Sequence, residues 1–545
     1  MLKKYKKIRL ISLVIIFVFI TAATRDNIYK QIKDSQRTFN SVYKYLVTHY
    51  VDDLDIEKFT KMSIDNMLSD LDPYTVYLED EQRNNIDLIT KGKYGGVGIQ
   101  IGKRDNYLTV ISPMADSPAE KAGIISGDII LFIDSTSTEG LSMDGAAKLI
   151  RGAKGSEVDL TIKRFSEESD FVFTLIRSDI KIKDITYSGL FDDKIGYIKL
   201  TKFSKNSATE LEKSLKILTE SGMESLILDL RDNPGGLLNS AISILDLFVD
   251  ENNLLVWTKG KTKQSNKKYY SKTTPIVPST FPLAILINGG SASASEIVAG
   301  ALQDLDKAVI IGNQSFGKGL VQTVYNIDRR RSLKITTAKY YIPSGRLIQK
   351  EGYLPEDLII NNSEEDSLFQ TAGGRLVRGG GGITPDFIIE KDPVGPILAE
   401  CWRKGLFYSF VKKHRDLFES YLDVESDMTV LDQFKDYIYN NDLDVVLKGE
   451  NSYVNTREIL LKNDSLDISI SGAIDLLDRY FEEKALTQFD LEREQINNRL
   501  MIEFAQSFGG NEGKIRASTE IDNDFLQAVK ILQDPFVYKD IFNAN

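Results

Sequence analysis

The chain contains one cysteine, Cys401, and two histidines, His49 and His414, in 545 residues. One thiol cannot close an internal disulfide, and two distant histidines supply no zinc-ligand spacing, so no metal is expected. Basic charge is also short, with 68 Lys and Arg against 79 Asp and Glu. That balance exerts no long-range pull on phosphate backbones, and no local basic stripe replaces it, so nucleic acid is excluded as a partner. Long apolar runs are absent with one exception, Leu10 to Ala23, which follows Lys3, Lys4, Lys6, Lys7 and Arg9. Positive charges ahead of a run too short to span a bilayer comfortably form an export signal, either cleaved or kept as an inner-membrane anchor. No cysteine stands directly after it, so a lipoprotein anchor is not expected. The expected location is therefore exported, periplasmic or cell-envelope, with membrane contact confined to this segment.

The rest of the chain has the composition of folded globular protein, and its length calls for several domains. From Arg25 to Asp80 apolar residues recur at helical steps, among them Phe39, Val42, Tyr43, Leu46 and Val47, and a second amphipathic stretch covers Phe59 to Leu68. Leu71-Asp72-Pro73-Tyr74-Thr75 ends that pattern, because proline biases its predecessor away from helical backbone. Between Lys93 and Arg164 short strands and turns take over. They comprise the loop Tyr94-Gly95-Gly96-Val97-Gly98-Ile99, a strand from Tyr107 to Ile111, helices from Pro118 to Ala122 and Met143 to Ile150, and a strand from Glu157 to Lys163. From Asp184 to Glu390 apolar runs without alternation predict parallel strands covered on both faces: Ile195 to Leu200, Ser225 to Leu230, Leu283 to Ile287 and Ala308 to Ile311. After Pro393 the pattern is helical and charged, with Trp402, Leu406, Phe407, Phe410 and Val411 on one stripe. Cys401 shares that apolar surrounding and reads as core packing.

The stretch that carries chemistry is Asn288-Gly289-Gly290-Ser291-Ala292-Ser293-Ala294-Ser295-Glu296, where a strand runs out and a helix begins. A serine at a helix N-terminus meets free backbone N–H groups and a positive dipole end, which suit a developing oxyanion. Serine also caps helices routinely, so the motif needs a base. Neither histidine lies within the α/β region, which makes a Ser-His-Asp arrangement improbable. Downstream, Gly312-Asn313-Gln314-Ser315-Phe316-Gly317-Lys318-Gly319 places a lysine on a glycine-flanked loop. A partly desolvated lysine loses its charge more readily, and the neutral amine can accept a hydroxyl proton. Gln322, four residues on, could hold that amine in place. The loop also approaches a P-loop pattern, but Gly319 stands where a magnesium-binding Ser or Thr is required. No cofactor is implied.

Together with Leu228-Asp229-Leu230-Arg231-Asp232-Asn233-Pro234-Gly235-Gly236, these motifs resemble the carboxy-terminal processing (tail-specific) proteases, peptidase family S41, and the segment before them resembles a PDZ domain. The resemblance implies a multidomain α/β protein: a signal peptide or anchor at 1–24, a helical region at 25–88, a PDZ-like domain at 89–180, a crotonase/ClpP-like protease core at 181–392 and a helical tail at 393–545. It implies Ser293 as nucleophile, Lys318 as general base and Gln322 as its orienting partner, with Ser291 and Ser295 structural. Oxyanion donors would be Ala294 with Gly235 or Gly236. The expected partners are protein or peptide substrates with apolar C-termini, bound on Tyr94 to Ile99. The turn reads Asp-Pro-Tyr-Thr where His-Ser commonly follows the proline, a departure expected to lie clear of catalysis. A scaffold on an inactive protease fold and a crotonase-type acyl-CoA enzyme are the rivals. The first does not account for an intact Ser293, Lys318 and Gln322, and the second has no need of the PDZ-like loop.

Overall fold

A computed structural model describes residues 29–543 except 80–92, 105–106, 115–116, 126, 165–168, 182, 193, 279, 351–367, 391–392, 442, 444, 448 and 462–467. The expected export segment lies outside these residues. Among them, no helix is long and apolar enough to cross a membrane.

A six-stranded sheet runs in the order Ile185–Phe191, Ile195–Leu200, Ser225–Asp229, Leu283–Ile287, Val309–Gly312 and Phe387–Ile388. Only the first pair is antiparallel. Every residue of Ser225–Asp229, Leu283–Ile287 and Val309–Gly312 is buried, the physical reason for their missing alternation. On one face Ile198, Leu228, Ile285 and Ile310 share a core with helices Ser207–Glu220, Leu238–Leu245 and Ala294–Asp304. On the other, Tyr197, Ile227, Leu286 and Ile311 pack against Phe525, Ala528 and Ile531 of the helix Asn523–Gln533.

The helix Asn523–Gln533, read from the sequence as part of a helical tail, is thus a layer of the central core. Arg231 anchors its start: Nη1 donates to Asp522 and Asp524, at 2.9 Å each, while Nη2 pairs with Asp229 at 2.8 Å. Burial alone would lift Asp229, but Arg231 and Lys199 hold its carboxyl down to about 2. Phe525 is fully buried and meets Phe191 and Tyr197 edge-on at 5.1 Å. Phe525→Ala should therefore lower the stability of the sheet itself by about 3–5 kcal/mol. Denaturant titration of a Trp402→Phe background, in which Trp257 alone reports, reads this as an earlier transition. A Trp257 transition that stays in place would make the helix an independent unit.

A second, antiparallel sheet joins Val76–Glu79, Arg331–Tyr341, Leu254–Gly260 and Lys267–Tyr270, with Leu320–Asn326 also paired to Arg331–Tyr341. It ties the Asp72–Thr75 turn to the strands that follow the lysine loop. The segment that resembles a PDZ domain has its own sheet, ordered Ile99–Arg104, Tyr107–Pro113, Ile129–Ile133, Glu157–Lys163, Phe171–Ile176, around a core that includes Val97, Val110, Ile130 and Leu160. Ser117 and Ser142 cap its two helices, accepting N–H bonds from Glu120 and Gly145. The C-terminal helical domain packs Phe407, Phe410, Phe434, Phe489 and Phe504 together. Cys401 is buried there and desolvation, with Glu492 and Glu400 near, pushes its thiol up to about 12, as suits inert packing. His414 stacks on Phe410 at 4.0 Å in the same domain, away from the motifs.

Candidate active site

The strand Leu283–Ile287 delivers the chain into a turn that ends at the helix Ala294–Asp304. Its three serines divide by burial. Ser291 is fully buried, donates to the Leu230 carbonyl at 2.8 Å and accepts from the Asn288 N–H at 3.0 Å. Ser295, equally buried, donates to the Asn233 carbonyl at 2.8 Å. Both hydroxyls hold the Asp229–Gly236 segment against the turn. Ser293 alone is half-buried, and its backbone stands at φ 57, ψ -110, a conformation a side-chain-bearing residue keeps only when its surroundings impose it.

The glycine turn reaches the same place. Asp232 and Asn288 exchange two hydrogen bonds of 2.9 Å, and Ala292 N–H donates to the Asn233 carbonyl at 3.0 Å. At Gly235, φ 91, a Cβ would lie 2.5 Å from the Ala292 oxygen and 2.9 Å from Ser293 Cβ, so only glycine fits. The Gly235 N–H is taken by Asn233 Oδ1 at 2.9 Å. Among the described residues the Gly236 and Ala294 N–H groups have no hydrogen-bond partner.

Glu296 joins the serine to the lysine. Fully buried at the third position of the helix, it accepts Ser293 N–H at 2.7 Å and Lys318 N–H at 2.9 Å on Oε2. Oε1 accepts Gly317 N–H at 2.7 Å and the Ser315 hydroxyl at 2.5 Å. Burial lifts its carboxyl above the ordinary range, opposed by those four bonds, all of which favour the ionised form. Glu296 has no assigned role in the sequence alone, where its one signal is the Ser-x-x-Glu capping-box pattern. The buried Tyr340 hydroxyl adds a second tie, lying 3.1 Å from the Ser293 carbonyl and also against that of Lys318. The Gly379 to Gly382 run, which reads as a flexible turn in the sequence, backs the lysine loop: Ser315 hydroxyl accepts the Ile383 N–H at 2.6 Å, and a Cβ at Gly382 would fall 2.6 Å from the Ser315 carbonyl.

Lys318 is half-buried, and its Nζ lies 4.1 Å from the centroid of the Tyr74 ring. Among the described residues it makes no hydrogen bond to Ser293 or Gln322. Burial, and then Lys334, hold its pKa below the ordinary lysine value, against the carboxylates of Asp72 and Glu296. Gln322 Nε2 donates to Thr336 Oγ1 at 3.3 Å instead, and Thr336 Oγ1 donates to Asp72 Oδ1 at 2.9 Å. The Asp-Pro-Tyr-Thr departure, expected to lie clear of catalysis, therefore borders the lysine. No local signal could have shown this, since the contact joins residues far apart in the chain.

Tyr94 to Ile99 belongs to a separate place. Lys93–Gly96 pairs with Ser178–Lys181, Val97 is buried, and Gly98 turns at φ 74 into Ile99–Arg104. Among the described residues that strand pairs with Tyr107–Pro113 and stands at one end of its sheet. Among the described residues, none of Tyr94 to Ile99 hydrogen-bonds to the Ser293–Lys318 region.

Comparison with known proteins follows this division. The profile of peptidase family S41 matches residues 194–359, that of a PDZ domain residues 109–164, and that of the C-terminal helical domain of a probable PDZ-protease residues 403–532. A carboxy-terminal-processing protease of Bartonella bacilliformis is 37% identical over 352 residues, 64% of this chain and 79% of its own. A probable CtpA-like serine protease of Staphylococcus epidermidis is 35% identical over 346 residues, 63% of this chain and 69% of its own. Among solved structures, a photosystem II D1 C-terminal processing protease is 27% identical, covering 65% of this chain and 86% of that one with a TM-score of 0.37.

Proposed function

The chain belongs to peptidase family S41, the carboxy-terminal processing serine proteases, and from that membership we propose a Ser293–Lys318 endopeptidase that processes exported proteins from their C-terminal region. One observation carries the reading: a single buried carboxylate, Glu296, receives the backbone N–H of both Ser293 and Lys318. In the mechanism, Ser293 Oγ attacks the scissile carbonyl while the neutral Lys318 amine takes its proton. The oxyanion is held by Ala294 N–H and by Gly236 N–H, since that of Gly235 is already engaged by Asn233. Lys318 returns the proton to the leaving amine, and water then clears the acyl-enzyme. Gln322 swings from Thr336 to steady the amine during turnover. The domain limits inferred from the sequence, and export by residues 1–24, belong to this proposal.

The PDZ domain is the docking site for the substrate end. Its terminal strand Ile99–Arg104 suits pairing with an added strand, and the Tyr94 to Ile99 loop suits a terminal carboxylate and apolar side chain. An unfolded protein ending in apolar residues should be cleaved by the parent protein and left intact by Ser293→Ala. Amidating its C-terminus should lower kcat/KM by about tenfold or more, the worth of a charge-assisted hydrogen bond. Equal rates for acid and amide would remove the docking role, and cleavage by Ser293→Ala would remove the nucleophile.

A further inference from the structure

The contact between Tyr74 and Lys318 is not explained by the proposed mechanism. A general base is expected to rest against the hydroxyl it deprotonates, yet among the described residues Lys318 Nζ meets only an aromatic face, 4.1 Å from its centroid. The negative face of a phenol ring attracts an ammonium and has nothing comparable to offer a neutral amine. We propose that Tyr74 is a positioning residue that latches the Lys318 side chain on its ring in the resting enzyme, withdrawn from Ser293. This inference rests on the assignment of Lys318 as the base.

The latch is built into the fold. Tyr74 sits in a turn whose Asp72 carboxylate accepts Tyr74 N–H at 3.0 Å and the Thr75 hydroxyl at 2.8 Å. Asp72 and Thr75 are buried and grip Thr336 from both sides, Asp72 accepting its hydroxyl at 2.9 Å and Thr75 Oγ1 its N–H at 3.1 Å. The ring is thereby fixed to the same strand, Arg331–Tyr341, that carries Tyr340 under the lysine loop. The charged and titratable groups facing Lys318 are Asp72 and Tyr74 from the turn, Glu296 from the serine helix, and Lys334 and Tyr340 from that strand. Asp72, Glu296 and the Tyr74 face favour the ammonium, while burial and Lys334 favour the amine. Burial, and then Glu296 and Asp72, raise the Tyr74 hydroxyl above the ordinary phenol value.

Removing the ring must shift the balance toward the free amine. In Tyr74→Leu the acid limb of the kcat/KM profile should move down by about half to one pH unit, a gain of about threefold to tenfold on the limb. Tyr74→Phe, which keeps the face, should retain the parent limb. Fluorinated phenylalanines at 74 drain the face without changing its shape, and should move the limb down stepwise with each fluorine. That series keeps the test decisive if Tyr74→Leu folds poorly. A limb that stays put across the series, with Lys318→Ala inactive, overturns the latch alone. An active Lys318→Ala overturns the base assignment and the latch together.

Discussion

Lys318→Ala should lower kcat/KM by at least about 10³-fold, the upper range for loss of a general base, and Lys318→Arg should be equally inactive. The pair of variants is chosen for its chemistry. Arginine restores charge and reach but cannot give up its proton, so its failure identifies deprotonation, not electrostatics, as the task of position 318. The parent profile follows from the same requirement. As the proposed base Lys318 must act as the neutral amine, so activity should rise with pH through its folded-state pKa. That limb should lie below the ordinary lysine range, because burial and Lys334 disfavour the ammonium more than Asp72 and Glu296 favour it. Lys334→Gln removes one depressing cause, and the limb should then move to higher pH. Initial rates across pH on an unfolded protein substrate measure all of these. An arginine variant within tenfold of the parent would dismiss the lysine as base.

Glu296→Gln should cost on the order of a hundredfold in kcat/KM, mostly in kcat, although the carboxylate touches neither substrate nor the reacting hydroxyl. Its two oxygens each accept two donors: Ser293 and Lys318 N–H on one, Gly317 N–H and the Ser315 hydroxyl on the other. An amide in either orientation presents an NH₂ to one of those donor pairs. At least one buried N–H then loses its acceptor, since only the Ser315 hydroxyl can turn to accept from the amide, at about 1–3 kcal/mol per lost bond. The loss falls on the register between the serine turn and the lysine loop, where misplacement of an ångström is expensive. Steady-state kinetics beside thermal unfolding separates this from general damage. A variant that melts with the parent yet loses kcat supports a clamp, and one that retains kcat within threefold rejects it.

The sequence exposed those parts of the site whose chemistry is local. Ser293 at the end of an apolar strand, Lys318 on a glycine-flanked loop and the Asn-Pro-Gly-Gly turn are each written in a few consecutive residues, and the structure brings the three to one place. The central strands were equally plain, because burial on both faces forces uninterrupted apolar runs. The second sheet was mostly invisible: Leu254–Gly260 and Leu320–Asn326 are partly exposed and mix lysine, threonine and tyrosine among the apolar residues. Helix Asn523–Gln533 looked like tail because its amphipathic pattern says that it is covered, and not by what.

What the order of residues determined alone was a set of candidates: one serine among three that the family resemblance points to, one lysine, two glycines, a family. The family resemblance pointed to Ser293 among the three serines; what tertiary structure added is the burial of Ser291 and Ser295, which depends on the Leu230 and Asn233 carbonyls that they meet in space. Gly235 and Gly236 differ through Asn233, whose side chain engages the N–H of the first, and the proposed oxyanion site rests on that contact in space. Tyr74 on Lys318 and Phe525 under the sheet needed the assembled fold as well. Periodicity and turn chemistry act over a few residues, whereas a hydrogen bond or ring contact depends on distance in space, which the folded chain alone supplies.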